Sequence, residues 1–394
     1  MQRSTDRILT THVGSLPRPD DLTAMLVAKD DGEPYDGATL EAQIKTAVRE
    51  TVRQQLACGL DVINDGEQSK RSWSTYAKER LAGHEDREPQ RPETRRSFGI
   101  TGRDSREFEG YYRAGRGGAT GAGQRQGITG APRRNVTCTG PLRYIGQAQL
   151  QRDIANFKAA LEGQAYADAV LTAVAPGTIS HWMRNDYYPD DESLLSAIAD
   201  AMNQEYRAIV DAGFSLQVDE PSLADGWQMY PDMTVAEYRE HSELRVAALN
   251  RALAGVPPHM ARIHVCWGSV KGPHKHDIDL ADIIDIICKV NVEGLSIEAA
   301  NPRHAHEWRV FERFKLPPDK VLIPGVAGHC SDFIEHPRLI ADRLLDYARL
   351  VGREKVIAGT DCGLGPRVGH PKIAWAKFAA IAEGARIASQ ELWR

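Results

Sequence analysis

The residues most able to do chemistry in this 394-residue chain are a histidine, two cysteines and a glutamate set far apart. His264 and Cys266 lie two apart in the apolar run 261–266, so on a strand both side chains leave the same face. Glu298 ends the run 294–298, and Cys362 follows the run 355–359 within Asp361-Cys362-Gly363. One imidazole, two thiolates and one carboxylate suit Zn²⁺, which takes N, S and O donors in a tetrahedron. Structural zinc is usually held by short paired spacings that staple a small unit. Here tens of residues separate the donors, which points to a catalytic or substrate-binding ion. Two thiolates and a carboxylate more than neutralise Zn²⁺, leaving a weak Lewis acid that still holds a thiol as thiolate. The chemistry implied is S-alkylation of a substrate thiol. Taken singly, each residue has a plainer reading, since a strand histidine is commonly a hydrogen-bonded core residue and buried cysteine is common.

These residues need a scaffold that brings distant strand ends together. Short β-branched runs alternate with longer amphipathic segments along the chain, the pattern of a parallel sheet with covering helices. Strands are expected at 8–13, 61–64, 135–138, 169–174, 214–218, 261–266, 294–298, 321–326 and 355–359. Helices are expected at 39–58, 150–161, 193–212, 235–254, 278–290, 337–351 and 374–392. The fold class is α/β, a TIM (β/α)8 barrel, read as one domain over 1–394. Nine strands are one too many for a closed barrel, so one lies outside it. The run 135–138 is the weakest of the nine, because it follows 84–134, about 50 residues with no core pattern and a glycine-dense stretch over 113–130. A lid, an oligomer contact and a disordered insertion all fit that stretch. In a TIM barrel the C-terminal strand ends form the active-site face. Those ends here carry Ser15, Asp65-Gly66-Glu67, Asp219-Glu220, Cys266, Glu298 and Asp361-Cys362. Asp219 and Glu220 are adjacent and so point to opposite sides of a strand.

Bulk composition excludes several roles. A formal net charge of -5 with no basic face argues against nucleic acid as a partner. No apolar run is long enough to span a membrane, and residues 1–11 are polar where a secretory signal would be apolar, so a cytoplasmic protein is expected. The six cysteines form no CxxC pair and are expected as free thiols or metal ligands. The expected partners are a small-molecule thiol and an alkyl donor. The oligomeric state stays open, a homo-oligomer included.

Seven segments, in order, resemble the C-terminal catalytic domain of the cobalamin-independent methionine synthase family. They are Thr10-Thr11-His12-Val13-Gly14-Ser15-Leu16-Pro17, Asp65-Gly66-Glu67, Val218-Asp219-Glu220-Pro221, His264-Val265-Cys266, Ser296-Ile297-Glu298, Pro324-Gly325-Val326 and Asp361-Cys362-Gly363-Leu364. The resemblance spans nearly the whole chain. It implies zinc ligands at His264, Cys266, Glu298 and Cys362, and contacts to the homocysteine amino-acid group from Ser15, Glu67 and Asp219. The reaction it implies is methyl transfer from 5-methyltetrahydrofolate to a homocysteine thiolate.

The chain departs from that pattern in three places. It has room for one barrel, whereas full-length family members add an N-terminal one that helps hold the folate. Ala327-Gly328-His329-Cys330 stands where an Asp and then a His or Lys are usual. Gln68-Ser69-Lys70-Arg71-Ser72-Trp73 replaces an acidic, Asn-containing run. Trp267-Gly268, Gly272-Pro273-His274-Lys275-His276-Asp277 and Ala299-Ala300-Asn301-Pro302-Arg303-His304 resemble the single-barrel branch that includes epoxyalkane:coenzyme M transferase. There the thiolate opens an epoxide. His274 and His276 read as site residues or as a solvated loop pair. Arg303 and His304 read as anion contacts or as surface residues. The functions left in view are methyl transfer to homocysteine or a related thiol, epoxide opening by a thiol, and a non-catalytic thiol- or metal-binding barrel. A metal-free decarboxylase-like barrel sits poorly with the His, Cys, Glu and Cys set.

Overall fold

The computed structural model describes residues 1–90, 102–113, 136–269, 271–365 and 367–394. Among these residues the strands are β1 (Val62–Asn64), β2 (Leu81–Asp86), β3 (Val136–Tyr144), β4 (Asp168–Val174), β5 (Met183–Asn185), β6 (Ser215–Asp219), β7 (Ala261–Val265), β8 (Gly294–Glu298), β9 (Val321–Ala327) and β10 (Gly359–Thr360). Seven of them form one parallel sheet in the order β1, β4, β6, β7, β8, β9, β10. Their side chains are almost all buried, as expected of parallel strands covered on both faces.

The two edges of this sheet are joined by residues 9–11. The Thr10 carbonyl accepts the Asp61 and Val62 N–H groups at 3.2 and 2.9 Å, while Thr11 N–H donates to the Ala358 carbonyl at 2.8 Å and Ala358 N–H to the Leu9 carbonyl at 2.8 Å. The segment therefore fills the eighth position, and the sheet closes into a TIM-like barrel. The run expected at 355–359 is regular only at its end. It pairs through Val356 and β10, with a register shift between Gly359 and Thr360. That irregular end is what delivers Asp361 and Cys362 to the mouth of the barrel.

The strand outside the barrel is the one expected at 135–138, of which Asn135 lies outside the described residues. It continues as β3, paired antiparallel with β2 and parallel with β5 in a separate three-stranded sheet. Part of 84–134 thus begins as strand: β2 reads Leu-Ala-Gly-His-Glu-Asp, too short of β-branched residues to be recognised. Residues 102–113 form two short helical turns, Arg103–Glu107 and Glu109–Arg113, and most of the glycine-dense 113–130 lies outside the described residues.

The long helices form where periodicity places them. Pro337–Val351 buries Ile340, Ala341, Leu344, Leu345 and Ala348 on one face, and Val235–Ala252 begins with a capping box between Thr234 and Glu237. The exception is 278–290, which breaks into the short turns Leu280–Asp282 and Ile284–Ile287. Four isoleucines in the five positions 283–287, all buried, are stiff in χ1 and stabilise a continuous helix poorly. Helices Asp20–Asp31 and Pro176–Trp182 were not expected. Among the described residues no helix is long and apolar enough to cross a membrane.

A buried ionic network ties the small sheet to the barrel. Arg80 meets Asp153 at 2.6 Å and Glu205 at 3.1 Å, and Glu205 accepts the hydroxyls of Tyr76 at 2.7 Å and Tyr144 at 2.8 Å. Tyr76 in turn accepts the β4 backbone N–H of Val174 at 3.1 Å. Removing the cation leaves Glu205 without an ion pair in the interior, while Asp153 keeps Arg152 at 3.1 Å. Arg80→Ala should therefore lower stability by about 3–5 kcal/mol, read as a drop in the urea midpoint. A loss under about 1 kcal/mol would mean that the network does not hold the small sheet in place.

Candidate metal centre

Strand alternation and the end of β10 bring three of the four expected ligands together. One donor atom each from His264, Cys266 and Cys362 lies within 4.8 Å of the others, and all three residues are buried. Donors at zinc bond lengths from a shared ion stand roughly 3–4 Å apart, so the cluster has the size of a metal site. Neither ring nitrogen of His264 makes a hydrogen bond, although the residue is 2 % exposed. A buried imidazole with both nitrogens facing no donor or acceptor of ordinary geometry is costly unless it has another use.

The electrostatics follow from the sulfurs. The neighbouring Cys266 thiol, together with Arg367, His264 and His329, pulls the Cys362 thiol well below its usual range despite burial. Cys266 is pushed up by its closeness to Cys362, by burial and by the negative charge of Glu298. Burial opposes protonation of His264, but Cys362, Asp219 and Glu298 outweigh it and raise the ring's pKa. The Ser269 hydroxyl also points to the Cys362 sulfur at 3.5 Å.

Glu298, the fourth expected ligand, stands beside this cluster rather than within it. Its Oε2 accepts the Trp267 N–H at 2.9 Å and its Oε1 accepts Asn301 Nδ2 at 3.0 Å. It is grouped instead with His329 and Asp361. Its charge still reaches Cys266 and His264.

The three residues expected to contact an amino-acid substrate converge on the same mouth. Ser15 Oγ donates to Glu67 Oε2, and Thr172 Oγ1 donates to Glu67 Oε1 at 2.8 Å. Glu67 sits in the left-handed region at φ 55°, held by a turn in which Asp65 accepts its N–H and Asn64 accepts that of Gly66. Gly14 permits this approach, since a Cβ there would stand 2.7 Å from Glu67 Oε1. Asp219 is pushed up to about 7 by burial, with Glu67 and Cys362 adding to the rise and His264 opposing it. Its carboxylate is fixed by Gln217 Nε2 at 2.7 Å, and Gln217 by Arg262 at 2.8 Å. Glu220 points the other way, as alternation requires. It accepts Gly177 N–H and Thr178 Oγ1, both at 3.1 Å, at the start of Pro176–Trp182.

The histidines after β7 and β8 divide. His276 is half-exposed and pairs with Glu107 at 2.5 Å, while His274 is buried at φ 53° against Asp277 at 2.6 Å. His304 is not an anion contact. It lies buried between Asp277 at 3.0 Å and Glu307 at 2.8 Å, stacked on Trp267, and these carboxylates overcome burial to raise its pKa to about 10. Arg303 is exposed and lines a cavity of about 260 Å³ with Arg103, Trp227, Lys275 and Asp277. Sequence reasoning missed Asp225, which sits against Gly268 and is pushed up to about 7 by burial and then by Asp277. It also gave no role to Asp361, whose only signal was adjacency to Cys362.

A profile of the cobalamin-independent synthase catalytic domain matches residues 144–383. The chain belongs to the cobalamin-independent methionine synthase family. His264, Cys266, Glu298 and Cys362 fall inside the matched region, whereas Ser15 and Glu67 lie before it. A methionine synthase of Sulfolobus acidocaldarius is 25% identical over 385 residues, covering 97% of this chain and 93% of that one. One from Saccharolobus islandicus is 28% identical over 228 residues, 57% of this chain and 59% of its own length. Among solved structures, a B12-independent methionine synthase from Shewanella sp. W3-18-1 in complex with selenomethionine superposes with a TM-score of 0.72 at 20% identity, covering 98% of this chain and 99% of that one. A putative vitamin-B12-independent methionine synthase from Listeria monocytogenes gives 0.64 at 18% identity, covering 97% and 98%. These two share the fold.

Proposed function

We propose that the chain is a cytoplasmic zinc-dependent methyltransferase, a single barrel domain over 1–394. It moves a methyl group from a methyltetrahydrofolate-type donor to homocysteine or a closely related thiol. The observation that carries this reading is the convergence of Glu67 and Asp219 on the His264, Cys266 and Cys362 mouth. Two buried carboxylates facing a sulfur-lined site suit a thiol that bears an ammonium group and repel one that bears a sulfonate.

In this reading His264, Cys266, Cys362 and Glu298 would hold the zinc. Bound there, the ion supplies a centre of low Lewis acidity that keeps an incoming thiol deprotonated and nucleophilic. Ser15 and Thr172 fix the Glu67 carboxylate, and Arg262 acts through Gln217 to fix Asp219. Both carboxylates are thereby set before substrate arrives. Glu298 would be the most weakly held of the four ligands. Trp267 and Asn301 each bind one of its oxygens, and a carboxylate is the poorest match for zinc among these four donors. Glu298→Gln should accordingly retain zinc through dialysis.

The direct test is X-ray absorption of the zinc-loaded protein with homocysteine, coenzyme M and glutathione in turn, followed by turnover with the thiol that binds. One added sulfur neighbour with homocysteine alone, and methionine formation from it, is the expected result. An unchanged shell with every thiol would end the proposal. The second reading is epoxide opening by an anionic thiol, and it draws on Arg103, Lys275 and Arg303 in the rim cavity. Asp277, Asp279 and Asp282 line the same cavity and weaken it. Added sulfur with coenzyme M alone would favour this second reading.

A further inference from the structure

Beside the sulfur cluster lies a second set of donors that contains no sulfur. One donor atom each from Glu298, His329 and Asp361 lies within 4.8 Å of the others, and all three side chains are buried. Asp361 Oδ1 accepts the N–H groups of Ala299 at 2.7 Å and Ala300 at 2.8 Å, but its Oδ2 has no partner. His329 Nε2 meets the Cys330 sulfur at 3.2 Å, and its Nδ1 has no partner. Both residues are 1 % exposed, so each unpaired atom carries its full desolvation cost. Two carboxylates in one buried place also repel each other unless something positive lies between them.

The surrounding backbone is shaped around this set. Gly325 admits Asp361, because a Cβ there would stand 2.3 Å from Oδ1. Gly328 N–H donates to Glu335 Oε1 at 2.8 Å, and the buried Lys377 bridges Glu335 at 2.9 Å. That ion pair holds the turn that presents His329. A Cβ on Gly328 would lie 3.7 Å from Asp361 Oδ2, so the turn passes close to the unpaired oxygen.

We infer that Glu298, His329 and Asp361 form a second divalent-cation site next to the thiolate site. Two carboxylates and an imidazole make a harder set than His264, Cys266 and Cys362, suited to Mn²⁺, Fe²⁺ or Zn²⁺. Glu298 has two oxygens and is the residue the two sites share. The inference takes from the proposed function only the assignment of zinc to the sulfur cluster, so the two can fail separately.

The test adds Mn²⁺ to the full chain loaded with a single equivalent of zinc, counting bound ions by electron paramagnetic resonance and by elemental analysis. Co²⁺ in place of zinc reports the sulfur cluster through its thiolate charge-transfer band. The expected result is Mn²⁺ binding that weakens at least tenfold in His329→Ala and in Asp361→Asn, with zinc content and the Co²⁺ band kept in His329→Ala. No Mn²⁺ bound at millimolar concentration would overturn the inference and leave a shared proton between Glu298 and Asp361. Binding unchanged in both variants would overturn it too. Mn²⁺ binding that needs His329, without any Co²⁺–thiolate band, would support this site while removing the zinc–thiolate function.

Discussion

Cys266→Ser and Cys362→Ser are each expected to lose bound zinc and methyl transfer together. The two sulfurs are the soft donors of the cluster, and the groups around Cys362 lower the pKa of its thiol. A serine hydroxyl is far harder to deprotonate and does not replace a thiolate on zinc. Changes one shell further out from a metal typically cost 10–100-fold in affinity, so a lost ligand should cost no less. The ion's contribution of several kcal/mol to the reaction then goes with it, a fall of about a thousandfold in turnover. Elemental analysis of the dialysed variants, read beside an assay of methionine formation, checks both halves. A chelator applied to the unaltered protein should reproduce the loss, and added zinc should reverse it. Activity near the unaltered level in a metal-free variant would remove zinc from the mechanism.

Asp219→Asn and Glu67→Gln carry the other large expected effect, and it differs in kind. Both changes keep size and remove charge, so zinc should remain bound. What is lost is a buried carboxylate for the substrate ammonium, and removing one member of a buried charge pair typically costs about 2–5 kcal/mol. We expect kcat/KM for homocysteine to fall by about a hundred- to a thousandfold. In Asp219→Asn the amide oxygen can still accept from Gln217, which is held by Arg262, itself bound to Thr11 at 2.9 Å and to the His12 carbonyl at 2.8 Å, so the loss is one of charge. If a desamino thiol is handled as well as homocysteine by the unaltered protein, these carboxylates do not read the ammonium and their assignment falls.

Much of the scaffold was legible from local pattern. A period of two puts His264 and Cys266 on one face whatever the rest of the chain does. Helical spacing similarly identifies Ile340, Leu344 and Leu345 as one buried stripe. The opposed directions of Asp219 and Glu220 follow from the same rule. Where local pattern was thin, the reading stopped. β2 is unmarked, and the apolar spacing of 278–290 suits a helix although its β-branched isoleucines support a continuous one poorly.

The candidate site divides along the same line. The donor types, their order and their positions at strand ends were determined by the sequence itself, because these depend on residues one to four apart. Three matters were decided only by the tertiary structure. One is that Val136–Cys138 pairs with β2 outside the barrel while 9–11 closes it. Another is that Glu298 lies between the sulfur cluster and a separate pair, His329 and Asp361. The last is that His304 is locked between Asp277 and Glu307 and is not free to meet a substrate. Each depends on the register and packing of segments tens to hundreds of residues apart. Contacts of that kind are set by how the closed sheet stacks its strand ends, and no local spacing encodes them.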